Sequence, residues 1–216
     1  MMTKQALQNF RFQFITHHNS RFDYLESAKI SLAGGCKWIQ LRMKDALESE
    51  IESTAIQLKT ICSEYGATFI IDDHVEICKK TGVGGVHLGK SDMHPREARQ
   101  ILGDSFIIGG TCNTFEDVLR VYEYVDYIGC GPFRFTTTKK NLSPTLGIDG
   151  YRELVWRCRE SGINVPIVAI GGITNDDIKP ILDSGPNGIA MSGHIINSDD
   201  PVKEVETIIS TIESCY

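Results

Sequence analysis

Thr68–Asp92, TFIIDDHVEICKKTGVGGVHLGKSD, holds one complete strand–helix–strand passage. Thr68–Asp72 is a short apolar, β-branched run closed by acids, Val75–Thr81 has helical spacing, and Gly85–Leu88 is a second apolar run after a glycine-rich break. A strand, a polar break and a helix make one unit, and the fold depends on how often that unit recurs.

It recurs along the chain. Strands are expected at Phe12–Thr16, Trp38–Arg42, Thr68–Asp72, Gly85–Leu88, Phe106–Gly110, Tyr127–Cys130, Pro166–Ile170 and Gly188–Met191. Helices are expected at Asp23–Ala33, Leu47–Tyr65, Val75–Thr81, Pro95–Leu102, Thr114–Tyr124, Ile148–Glu160, Asp176–Ser184 and Pro201–Ser214. Pro95 suits a first helical turn, and Thr114 with Asp117 forms a capping box. With no linker or low-complexity block among its 216 residues, the chain is expected to be an α/β protein, a single-domain (β/α)8 TIM barrel spanning 1–216. An open doubly wound sheet is the runner-up.

Lys and Arg number 22 against 28 Asp and Glu, a net charge of −6. That balance argues against a general nucleic-acid or anionic-membrane surface, so any phosphate must be held in a local pocket. Seven cysteines, odd in number and without a CxxC pair, fit small core residues in a reducing compartment. The first twenty residues carry no continuous apolar run, so neither a signal peptide nor a membrane span is expected, and the localisation expected is cytoplasmic.

A barrel places its active site at the carboxyl ends of the strands, and the polar residues there converge. In WIQLRMKD, alternation puts Gln40, Arg42 and Lys44 on one side and Leu41 and Met43 on the other. Two cations and an amide suit a polyphosphate, although such charges also occur on solvated strand ends. Asp72, Asp73 and Asp92 follow the third and fourth strands, where carboxylates near phosphate suit Mg²⁺; Asp73 could instead cap the helix at Val75. The six histidines show no zinc spacing, and His87 reads as a core residue. Thr111 and Asn113 follow the fifth strand, as ligand contacts or as the start of the next helix. Gly171, Gly172, Ser192 and Gly193 follow the seventh and eighth, where barrels often bind phosphate. The segment GCGPFRFTTTKKNLSPTLG after the sixth strand is too long and polar for an ordinary connection, and such loops commonly serve as lids or binding loops.

Taken in order, QLRMKD, IIDDHVEICKKTGVGGVHLGKSD, GPFRFTTTKK and VAIGGI resemble the thiamine-phosphate synthase (thiamine-phosphate pyrophosphorylase) family over nearly the whole chain. The resemblance implies a Mg²⁺-dependent transferase that joins hydroxymethylpyrimidine pyrophosphate to a thiazole phosphate and releases pyrophosphate. It assigns Gln40 to the pyrimidine, Arg42, Lys44 and Lys139 to the pyrophosphate, and Asp73 and Asp92 to the metal. Thr136 and Thr138, with Gly172, Ser192 and Gly193, fall to the thiazole phosphate, and Thr111 to the pyrimidine or pyrophosphate. Asp72 stands where the family usually has asparagine, a carboxylate in place of an amide donor. His74 replaces a usual arginine, Lys90 a usual glutamine, and the serine of Ser192–Gly193 is shifted by one position.

Three other readings stand beside this one. A thiazole tautomerase of the same family would use a histidine where this chain has Asn113. A non-catalytic thiamine-phosphate binding module would keep the pocket without turnover, and a sugar-phosphate isomerase barrel would explain the glycines but not the cations facing acids. The implied partners are small molecules, with no nucleic acid and no membrane, and a homo-oligomer is compatible with the sequence.

Overall fold

Eight apolar runs form β1 (Phe12–Ile15), β2 (Trp38–Leu41), β3 (Thr68–Asp72), β4 (Gly85–Leu88), β5 (Ile107–Cys112), β6 (Tyr127–Cys130), β7 (Ile167–Ile170) and β8 (Gly188–Met191). The computed structural model describes residues 11–135 and 144–216, and within them these strands close into a barrel in sequence order. Each pairs in parallel with the next, and β8 closes on β1 through Phe12↔Ile189 and Phe14↔Met191.

The helices are α1 (Tyr24–Ala33), α2 (Glu48–Glu64), α3 (Val75–Thr81), α4 (Pro95–Leu102), α5 (Phe115–Val121), α6 (Gly147–Glu160), α7 (Asn175–Asp183), α8 (Gly193–Ile196) and α9 (Pro201–Glu213). Several expected helix ends are caps. Asp23 accepts from Glu26 N at the start of α1, and Thr114 accepts from Asp117 N at the start of α5. The expected helix to Tyr124 stops at Val121, and β5 runs on to Cys112 because Thr111 and Cys112 stay paired with Gly129 and Cys130. The one-turn α8 was not anticipated, since four residues carry no helical period.

Alternation along the strands separates two cores. Inward residues Ile15, Trp38, Ile70, Ile107, Tyr127, Val168 and Ala190 fill the barrel, while Ile39, Leu41, Ile71, Val86 and Ile108 pack outward against helices. Both faces are buried, which is why the strands read as continuous apolar runs. The seven cysteines are free thiols and six are buried, in keeping with packing roles. No helix among the described residues is long and apolar enough to cross a membrane.

Candidate active site

The carboxyl ends of the strands surround a cavity of about 670 Å³. Gln40, Arg42, Lys44, Asp72, Asp73, Thr111, Gly172, Ser192 and Gly193 all line it. Leu41 and Met43 pack into the outer core, as period-two alternation requires. Asp92 lies in an adjoining recess of about 120 Å³ with Lys90, Thr111 and Asp117. Thr136, Thr138 and Lys139 lie outside the described residues.

Asp72 is the hub of the charges. Its carboxylate lies 3.3 Å from Arg42 Nε and 3.6 Å from Lys44 Nζ, and it accepts from Gln40 Nε2 at 2.8 Å. Burial pushes its acid above the ordinary aspartate value, working against the pull of Lys44 and Arg42. Lys44 also makes a close ion pair with Asp73. Burial alone would lower the Lys44 ammonium, but Asp72 and Asp73 together hold it above the usual lysine value.

Asp73 does not cap α3; His74 occupies that position, and its side chain makes no capping hydrogen bond. Asp73 instead adopts φ 64°, a left-handed conformation uncommon outside glycine. Its carboxyl also interacts with that of Asp92. Burial, then the charge of Asp72 and the bond to Asp92, push the Asp73 acid up to about 7. Burial also works against ionising Asp92, but the bonds from Asp73 and from Gly89 N, the latter at 2.7 Å, hold its carboxyl below the usual value. Asp73 Oδ1 is buried and receives no N–H or hydroxyl hydrogen bond.

This donor set fits a hard divalent cation. Asp73 and Asp92 are interacting neighbours that could both turn an oxygen to a cation, and a buried oxygen of Asp73 has no hydrogen-bond partner. Gln40 Oε1 and Ser192 Oγ are also buried without hydrogen-bond partners at the wall of the cavity. Both are groups that a ligand with matching donors or acceptors would satisfy.

On the β7 side, Gly171 and Gly172 have φ 101° and 70°, and Arg134 N donates to Gly171 O at 3.1 Å. A Cβ on Gly172 would stand 2.5 Å from Arg134 Cγ, so only glycine admits this close approach. Asn113 donates to the Gly131 carbonyl, and the next helix is started by Thr114 instead.

Lys90 does not reach the main cavity; its ammonium pairs with Asp117 at 2.7 Å. Nothing in the structure explains the departure at His74 that the resemblance implies. Sequence reasoning missed Gln13, His87, His194 and Glu204 on the cavity wall. His87 is satisfied at both ring nitrogens, as expected of a core residue, yet it faces the cavity. Its signal lay in Gly109 on β5 and Gly129 on β6, which leave room for a ring.

Over residues 12–195 the chain matches the family described as "Thiamine monophosphate synthase". It is 57% identical over 199 residues to the thiamine-phosphate synthase of Phocaeicola vulgatus, covering 92% of this chain and 96% of that one. The thiamine-phosphate synthase of Bacteroides thetaiotaomicron is also 57% identical, over 92% of this chain and 95% of its own. Among solved structures, a thiamine phosphate pyrophosphorylase from Pyrococcus furiosus superposes with TM-score 0.84 at 30% identity, covering 97% of this chain and 98% of that chain.

Proposed function

Because the chain belongs to the thiamine monophosphate synthase family, we propose that its cavity joins hydroxymethylpyrimidine pyrophosphate to hydroxyethylthiazole phosphate, giving thiamine phosphate and pyrophosphate. The activity is that of a transferase. The observation that carries the site assignment is the meeting of Arg42 and Lys44 with Asp72 and Asp73 at one cavity wall.

An electron-rich aminopyrimidine can expel pyrophosphate and leave a stabilised cation, so this chain need supply orientation and charge rather than a nucleophile. Arg42 presents a planar fork and Lys44 a point charge to the leaving group. Gln40 Oε1, with its Nε2 already bound to Asp72, is available to accept from an amino group on the pyrimidine. Asp73 and Asp92 would hold Mg²⁺, which neutralises charge on departing pyrophosphate. Ser192 Oγ and the backbone at Gly172 and Gly193 form the wall suited to the thiazole phosphate, whose ring nitrogen attacks the pyrimidine cation. By resemblance Thr136, Thr138 and Lys139 complete the two phosphate sites. No proton-shuttling histidine stands at Asn113, which favours the synthase over the tautomerase.

The test is incubation of the purified protein with both substrates and Mg²⁺, with assay of thiamine phosphate and pyrophosphate in equal amounts. Ligand binding without product would leave the non-catalytic binding module as the better reading.

A further inference from the structure

Inside the barrel a line of hydrogen-bonded side chains runs up to the cavity floor beside the charge cluster, where Asp73 N donates to the His87 carbonyl at 2.8 Å. His87, Gly109 and Tyr127 share one register level on β4, β5 and β6. His87 Nδ1 lies 2.8 Å from the Tyr127 hydroxyl, and His87 Nε2 lies 2.9 Å from Thr111 Oγ1. Gln13 Nε2 donates to the same Tyr127 hydroxyl at 3.2 Å. Gln13 and Tyr127 are 2% and 1% exposed, and Trp38 packs edge-on against the tyrosine ring at 4.7 Å.

Space for the imidazole is reserved by glycine. A Cβ on Gly109 would stand 2.4 Å from His87 Nδ1 and 2.3 Å from Tyr127 Cζ, and one on Gly129 would stand 2.8 Å from His87 Cε1. Glycine weakens a strand interior, so two of them around one ring mark a position the fold specifies.

The line has a direction. The Gln13 amide nitrogen only donates, so it occupies one lone pair of the Tyr127 hydroxyl, and His87 Nδ1 is the acceptor within reach of that hydroxyl's proton. An imidazole accepting at Nδ1 carries its proton on Nε2 and donates it to Thr111 Oγ1. With that lone pair taken, the threonine's own proton is left for the cavity, which Thr111 lines.

The geometry points to Gln13, Tyr127 and His87 as positioning residues that set Thr111 as a hydroxyl donor to an acceptor atom of the pyrimidine pyrophosphate. The inference rests on the synthase reading for the ligand, but the tautomer it requires does not depend on turnover.

Nitrogen-15 NMR of the ligand-free protein reads that tautomer directly. His87 is expected to show an unprotonated Nδ1 and a protonated Nε2; a protonated Nδ1 overturns the inference, whatever the activity. Kinetics then test the consequence. Tyr127→Phe keeps the ring and removes the hydroxyl, and it is expected to lower kcat/KM for the pyrimidine substrate about tenfold. KM for the thiazole phosphate should stay within about twofold. Thr111→Val should cause a similar or larger loss, and adding Tyr127→Phe to it should cost less than about twofold more. Losses that multiply would mean that the tyrosine does not act through Thr111, and would sink the inference. A wild-type protein that binds both substrates without making product would count against the synthase reading instead, and the His87 tautomer would still be decided by the spectrum.

Discussion

Asp72 holds Arg42 at 3.3 Å and Lys44 at 3.6 Å, the two cations that a pyrophosphate would need, so the substrate must compete with a carboxylate for them. An asparagine at this place would still accept from Gln40 and would remove the competing charge. Asp72→Asn is therefore expected to lower KM for the pyrimidine substrate about fivefold, the equivalent of roughly 1 kcal/mol for a partly exposed pair. Steady-state kinetics checks this, and a collapse of kcat would mean instead that Asp72 is itself a metal ligand. Asp73 makes a prediction of a different kind. Its acid is held up to about 7 by burial, by Asp72 and by Asp92, above its value in the unfolded chain. A raised acid contributes stability that is full below the unfolded value and is lost as pH rises through the folded one. Metal-free protein should thus lose thermal stability between about pH 4 and about pH 7 through this group, and Asp73→Asn should flatten that slope. Asp92, held below its usual value, contributes stability lost only in more acidic solution, so the two effects occupy separate windows. Thermal denaturation across pH in wild type and Asp73→Asn distinguishes them; parallel slopes would remove Asp73 as the source.

The connection from β5 to α5 shows how one helix start supports the site. Asp117 Oδ2 accepts from Asn113 N at 3.0 Å and from Thr114 N at 3.2 Å, and Lys90 Nζ joins it at 2.7 Å. The carboxylate ties down two backbone donors, whereas Lys90 is 44% exposed and adds a partly screened charge. Lys90→Gln is expected to leave kcat and KM within about twofold and to cost less than about 1 kcal/mol of stability. Asp117→Ala should cost about 1–3 kcal/mol, because donors at a helix start lose their acceptor. Chemical denaturation of the two variants gives the order, and a larger loss for Lys90→Gln would reverse the assignment. This element also marks the limit of what the sequence revealed. The Thr114–Asp117 capping box was legible because its spacing is local, and so were the strands, because burial on both faces makes continuous apolar runs. The partner of Lys90 was not legible, since Asp117 is brought to it only when β4 and β5 pair. The same holds for His87, whose chemistry is set by Tyr127 and Thr111 on other strands.

On the scale of the whole molecule, a net charge of −6 gives anionic substrates no general attraction, and the proposed capture site is the cavity wall where Arg42 and Lys44 meet Asp72 and Asp73. That wall was legible from the sequence once a barrel was assumed, because closure brings the ends of β2, β3 and β4 together. The pairing within it was not, because which acid holds which cation depends on distances that no spacing encodes. Lys44 is shared between Asp72 and Asp73, so under the proposed assignment a divalent cation and a pyrophosphate would each meet a site already occupied by the other's partner. A cation that takes Asp73 releases Lys44 for the anion, and an anion that takes Lys44 releases Asp73 for the cation. The two should therefore bind with positive coupling, and by linkage the factor is the same whichever is added first. Couplings of this kind are typically about 5- to 150-fold, so Mg²⁺ should tighten pyrophosphate binding by at least about fivefold. Mg²⁺ and pyrophosphate also associate in solution, and Lys44→Met is the control for that. It keeps the solution complex but removes the shared side chain, and should retain only the tightening that comes from association in solution. Calorimetric titration of both proteins with pyrophosphate, with and without Mg²⁺, decides the matter, and equal tightening in the two would mean that Lys44 is not what links the metal to the anion.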